Sequence, residues 1–151
     1  MWRDAGGTLR ELFASWPSVG PVERAETLQR AHTSLRHTMG AKRKTTLVFA
    51  SDIDGDTAGA GYDEHTGYIL LLVRNLLDDD PAPLVAGLAH EVRHAYQHDV
   101  VDGAIKDSRA AEWRAAFESY DALARFNDIA NALESDADDA RCEVGAGFSA
   151  E

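Results

Sequence analysis

The chain of 151 residues holds a single cysteine, Cys142. No internal disulfide can form, and a cysteine-rich zinc site is excluded. Long apolar runs are also missing. The longest, YILLLV at 68–73, is far short of the roughly 20 residues that a membrane-spanning helix needs. The opening MWRDAGGTLRELFASW places Arg3 and Asp4 where the apolar core of a secretory signal belongs. A soluble chain without membrane insertion is expected, cytoplasmic or exported by a specialised route that does not use such a signal. No internal repeat or low-complexity linker divides it, so one domain over 1–151 is expected, with 1–44 as an N-terminal helical segment open to being accessory.

Basic charge is scarce where most of the chain lies. Residues 51–151 carry seven Lys/Arg against 22 Asp/Glu, whereas 1–50 carry eight against four; the formal net charge is −11. Such a chain repels phosphate, which argues against a nucleic-acid partner. The one basic cluster, KRK at 42–44, reads as a short solvated turn. Hydrophobic residues make up 44%, enough to build a core.

What is present is periodic. In 21–40 Val22, Ala25, Leu28, Ala31, Leu35 and Met39 recur at helical steps, with Pro21 at the start and Gly40 at the stop. TTLVFAS (45–51) is β-branched and aromatic, a strand; GYDEHTGYILLLV (61–73) reads as two strands around DEHTG. Between them Asp52, Asp54 and Asp56 alternate like the start of a calcium loop. Thr57 stands where the loop glycine belongs and Asp63 where the bidentate glutamate belongs, so the stretch reads as an acidic turn. Helices follow at about 84–101 (stop at Gly103), 108–126 (Ser108 as a cap) and 128–144 (Asn127 as a cap). A helix, then strands, then three helices point to an α+β fold with helices on a small mixed or antiparallel sheet.

The 84–101 helix carries His90, Glu91 and His94 in the spacing H-E-x-x-H. Residues four apart share a helical face, so both imidazoles can aim at one point. Zinc accepts such nitrogens at about 2.0–2.1 Å in tetrahedral geometry. Glu91 lies roughly 100° round the helix from His90, beside such an ion and able to touch a water as general base. Leu84, Val85, Leu88, Val92 and Ala95 form the apolar face that would bury the helix.

Two histidines need a third ligand. The longer H-E-x-x-H-x-x-G-x-x-H pattern is excluded, because Gln97 and Val100 occupy the glycine and histidine positions. His98 sits about 12 Å along the axis from His90, too far to share one ion with both ligands. Glu112, Glu118, Glu134, Asp136 and Asp138 are the remaining candidates. Glu134 and Asp138 stand four apart in ESDAD (134–138), so both can face the metal helix, one as ligand and one accepting the second N–H of a ligating histidine. Glu112 is the rival, but Ala116 stands where its partner aspartate would be. Asp136 and Asp139 read as a solvated acidic face, and Arg93 and Arg141 as ordinary ion-pair residues. His32, His37 and His65 show no clustering.

H-E-x-x-H followed on a later helix by a glutamate and, four residues on, an aspartate resembles the gluzincin metallopeptidases; ESDAD is similar to the E-x-E-A-D form of some of them, with Asp136 in place of the second glutamate. LAHEVRHAYQ also resembles small zincin-like toxin or effector domains of bacteria. The resemblance spans roughly residues 45–145. It implies a compact zincin-like fold with an edge strand over the cleft, for which GYILLLV is the match, a Zn2+ cofactor on His90, His94 and Glu134, and Asp138 as buttress. It further implies a zinc metalloendopeptidase with Glu91 as catalytic base and a peptide or protein substrate, and, in the toxin form, a cognate immunity or carrier protein. Tyr62, Tyr68, Tyr96, Tyr120 and His98 are candidates for the oxyanion donor or substrate contact. The competing readings are a degenerate zincin that binds a partner, and a zinc hydrolase of a non-peptide substrate.

Overall fold

The computed structural model describes residues 2–51, 60–123 and 132–150. The acidic turn of Asp52, Asp54 and Asp56 and the suggested cap Asn127 lie outside them. The elements run α1 (Arg3–Leu12), a 3-10 turn, α2 (Pro21–Met39), β1 (Thr46–Ala50), β2 (Ala60–Asp63), β3 (Tyr68–Leu72), a second 3-10 turn, α3 (Ala82–Val101), α4 (Ala110–Leu123) and α5 (Ala132–Ser149). The α+β expectation is met. No described helix is long and apolar enough to cross a membrane.

Local chemistry explains the boundaries. Pro21 opens α2, where its missing N–H costs nothing. Gly40 closes it with φ +76, and Ala41 N–H bonds back to the Arg36 carbonyl at 3.1 Å. Gly103 ends α3 in the same left-handed conformation, with Ala104 N–H on the Asp99 carbonyl at 2.8 Å. At α4 the Asp107 side chain, rather than Ser108, accepts the early N–H group, that of Arg109 at 2.9 Å.

The sheet has the order β1-β3-β2. β1 runs parallel to β3, and β2 antiparallel, with Tyr62 opposite Ile69. GYILLLV is therefore the central strand, not the edge strand expected over the cleft. Its run of aliphatic residues suits a strand flanked and covered on both faces, and Ile69, Leu71 and Leu72 are buried. The strand beside α3 is β2; an added Cβ at Gly87 would touch the Cβ of Ala60 at 3.4 Å.

The predicted apolar face of α3 is in the core: Leu84, Val85, Leu88, Val92 and Ala95 are all buried. Residues of the N-terminal segment share that core, with Leu9, Phe13, Trp16, Leu28 and Leu35 packed in one cluster with Val144 and Phe148 of α5. KRK is more than a solvated turn. Asp99, buried near the end of α3, accepts the backbone N–H groups of Lys42 and Arg43 at 2.6 and 3.0 Å and Arg43 Nε at 2.9 Å. This pins the start of the sheet to the last turn of α3.

α1, which the apolar periodicity did not reveal, packs backbone to backbone on α5. A Cβ at Gly6 would lie 2.1 Å from the Val144 carbonyl oxygen, and one at Gly147 would lie 1.9 Å from that of Arg3. Gly6→Ala should therefore cost ~1–3 kcal/mol, as over-packing does. Gly7→Ala, where the added carbon meets only the end of the Arg10 side chain at 3.9 Å, should instead gain roughly 0.5–1 kcal/mol of helix propensity. Urea midpoints of the two variants check the contrast; equal shifts would contradict the close packing of α1 on α5.

Candidate metal centre

α3 and α5 lie side by side, and their facing turns gather the donors. His90 and His94, four apart on α3, hold their Nε2 atoms 3.0 Å apart with rings nearly perpendicular at 80°. Glu134, in the first turn of α5, places Oε2 at 3.1 Å from His90 Nε2 and Oε1 at 3.3 Å from His94 Nε2. One donor atom from each of the three lies within 4.8 Å of the others. Tetrahedral ligands at 2.0–2.1 Å from zinc stand about 3.3 Å from one another. The donor set and its spacing fit a zinc ion.

The second ring nitrogens differ: that of His94 is hydrogen-bonded and that of His90, among the described residues, is not. Asp138 Oδ1 lies 3.1 Å from His90 Nδ1, off the line of a well-formed hydrogen bond. His94 Nδ1 lies 2.9 Å from Gln97 Oε1. Glu91 is buried on the same helix, close enough for its charge to act on His94.

Asp136 is not the solvated residue expected. Its Oδ2 accepts Arg93 Nε at 2.7 Å and Gln97 Nε2 at 2.8 Å; its Oδ1 accepts Arg93 Nη2 at 3.2 Å and Arg109 Nη1 at 2.8 Å. Nor is Arg93 an ordinary surface ion-pair residue. Its guanidinium lies over the rings of Tyr96 at 4.2 Å and Trp2 at 4.6 Å, and its side chain is 3% exposed. Sequence spacing could have suggested Gln97, three residues past His94 on the same face. It held no signal for Asp136, whose arginine partners are distant in the chain.

The other predicted residues separate. Glu112, the rival ligand, is exposed on α4 beside buried Trp113 and does not join the triad. Tyr96 donates its hydroxyl to Asp107 Oδ2 at 3.0 Å, which commits it to the arginine cluster. Tyr68 is exposed on β3. Tyr120 belongs to α4, its side chain outside the described residues. Tyr62 and His98 come together, ring centroids 5.6 Å apart. His98 also stacks on Phe117 at 4.2 Å and sets Nε2 3.0 Å from Glu64 Oε2. Tyr62 receives Arg43 Nη1 at 3.3 Å.

Burial works to lower the His94 pKa, but the hydrogen bond to Glu134 and the charges of Glu91 and Glu134 raise it to about 9. Burial tends to raise Glu134, yet its bonds to His90 and His94 hold it well below the usual carboxylate range. Burial lowers His98 to about 4, helped by the charges of Arg43 and His94. His32, buried against Thr45 Oγ1 at 2.8 Å, is likewise lowered to about 4 by burial and by Arg36.

Two outcomes follow for the metal-free chain. His94 gains its partners on folding, so its contribution is complete below pH 6.5 and is lost as pH rises through about 9. His32 and His98 fold neutral, so the unfolded chain binds more protons and stability falls from pH 6.5 towards 4. Glu134 adds its own loss in strong acid. Thermal unfolding in chelator should therefore show maximal stability near pH 6.5, with a shallower alkaline limb in Glu134→Gln; an unchanged limb would contradict the His94–Glu134 pairing. Separately, Asp136→Ala strands buried Arg93 and should cost about 3–5 kcal/mol, read from urea unfolding; a loss below about 1 kcal/mol, typical of exposed pairs, would contradict it.

No protein-family profile, curated protein or solved structure matches this chain, and what the centre does is read from its own geometry.

Proposed function

We propose that this chain is a zinc-dependent hydrolase of peptide bonds, with His90, His94 and Glu134 holding the ion and Glu91 as general base. One observation carries the reading: three donors from two helices converge at the spacing that a tetrahedral ion requires, with a buried glutamate next to His90 on the same helix. Three protein ligands leave one position open, the arrangement of catalytic rather than structural zinc sites. Bound zinc supplies the Lewis acidity that makes a water acidic and polarises a carbonyl.

The chain's own groups do the rest. Glu91 takes the proton of the attacking water and delivers it to the leaving amine, and its burial keeps bulk water from competing for that proton. Gln97 holds the His94 imidazole from behind, and Asp138 stands 3.1 Å from the second nitrogen of His90. His98 folds neutral with Nε2 3.0 Å from Glu64 Oε2; with Tyr62, 5.6 Å away between ring centroids, it is the pair assigned to contact a substrate carbonyl. β2, the sheet edge beside α3, can take an extended peptide as an added strand, which gives affinity through main-chain bonds. β3 cannot, because both of its neighbours are already in place. This edge supports a peptide or protein as the proposed substrate. The role of toxin or effector rests on the resemblance of LAHEVRHAYQ alone.

Glu91→Gln should retain one zinc per chain while lowering kcat on a mixed peptide library by about 10²–10⁴-fold, the usual worth of a positioned base. Mass-spectrometric detection of cleavage by zinc-loaded wild type and variant checks this. Equal cleavage by both would remove Glu91 from the chemistry. Zinc binding with no cleavage of any peptide would overturn the peptidase assignment.

A further inference from the structure

We propose that Gln97 is a positioning residue of the metal centre, which fixes His94 with its proton on Nδ1 and so presents the Nε2 lone pair to the ion. The inference rests on the reading of His90, His94 and Glu134 as metal ligands.

The argument begins with the amide. Gln97 is fully buried, so no water competes for its atoms. Its Nε2 lies 2.8 Å from the Leu133 carbonyl oxygen and 2.8 Å from Asp136 Oδ2. Both neighbours can only accept, so the two N–H bonds of the amide are used there. The reversed amide would set a carbonyl oxygen against two acceptors. Oε1 is therefore the atom that faces His94 Nδ1, at 2.9 Å. An amide oxygen only accepts, so His94 Nδ1 must carry a proton and donate it. The nitrogen left for a metal is Nε2, the one that faces His90 and Glu134.

Asp136 makes this orientation rigid. Its four acceptances come from Arg93 twice, Arg109 and Gln97, which fills the sites a carboxylate offers. Arg93 is held in turn by the faces of Trp2 and Tyr96. The chain of contacts runs from the aromatic cluster through Arg93, Asp136 and Gln97 to one ring nitrogen of one ligand. Gln97 is also tied to the carbonyl of Leu133, the residue before Glu134. One side chain thus sets the ring on α3 and the start of the ligand-bearing turn on α5.

The test uses the full chain with Zn2+ as the only added ligand. Long-range 1H–15N correlation spectra of zinc-loaded wild type should show His94 bound through Nε2, with a slowly exchanging proton on Nδ1. In Gln97→Met, which keeps length and burial but cannot offer the amide oxygen, that proton should exchange rapidly while the His90 signals stay unchanged. Zinc Kd, measured by competition with a chromophoric chelator, should rise by about 10–100-fold. His94 bound through Nδ1 in wild type would overturn the proposal, and that spectrum decides even if the variant fails to fold. Wild type that binds zinc, beside a variant with unchanged affinity and unchanged proton exchange, would overturn the positioning role alone. Wild type that takes up no zinc would overturn both this role and the metal reading beneath it.

Discussion

The carboxylate of Asp136 joins α5 to α3 by accepting hydrogen bonds from Arg93, Gln97 and Arg109. The candidate centre depends on that junction. His90 and His94 belong to one helix and Glu134 to another, and a metal site needs its donors held to within a fraction of an ångström. Charge-assisted bonds in a nearly dry environment supply that precision. The same junction carries a cost. Arg93 carries a permanent charge and is buried, which is tolerable only while Asp136 and the surrounding aromatic faces are in place. Asp107 pairs with Arg109 at 2.9 Å, so two carboxylates balance the two arginines.

The stretch ESDAD therefore divides its labour. Glu134 faces the two imidazole Nε2 atoms, Asp138 approaches the far nitrogen of His90, and Asp136 bonds the arginines. Three acidic residues in five positions would repel one another on an isolated helix. Here each meets a cationic or proton-donating partner. The two histidines are supported differently: Asp138 is a largely exposed carboxylate, whereas Gln97 is a buried neutral amide. The neutral partner lets His94 be oriented without adding a further carboxylate beside Glu91 and Glu134.

Parts of this arrangement were legible in the sequence because they are local. The i,i+4 pairs His90–His94 and Glu134–Asp138 follow from helical geometry, and Pro21, Gly40 and Gly103 mark helix ends by their backbone preferences. The apolar face of α3 could be read from its spacing. Other parts depend on pairing across the chain. Asp136 lies 43 positions from Arg93 and 27 from Arg109, so no short pattern shows that it pairs with them. α1 contains the pair Gly6–Gly7, which weakens helix propensity; it is helical where it packs on α5, and Gly6 lets the two backbones approach. The resemblance placed GYILLLV at the sheet edge, whereas it is central; a hairpin around DEHTG says nothing about which of its strands also meets β1. The aliphatic run of β3 was the available clue to a central position.

The central claim is that His90, His94 and Glu134 form one metal centre. Zinc content per chain, measured by mass spectrometry on purified wild type, Glu134→Ala and Glu112→Ala after loading and desalting, tests it most directly. One zinc per chain in wild type and Glu112→Ala, and a large loss in Glu134→Ala, is the predicted result. No zinc in wild type, or loss confined to Glu112→Ala, would contradict the account.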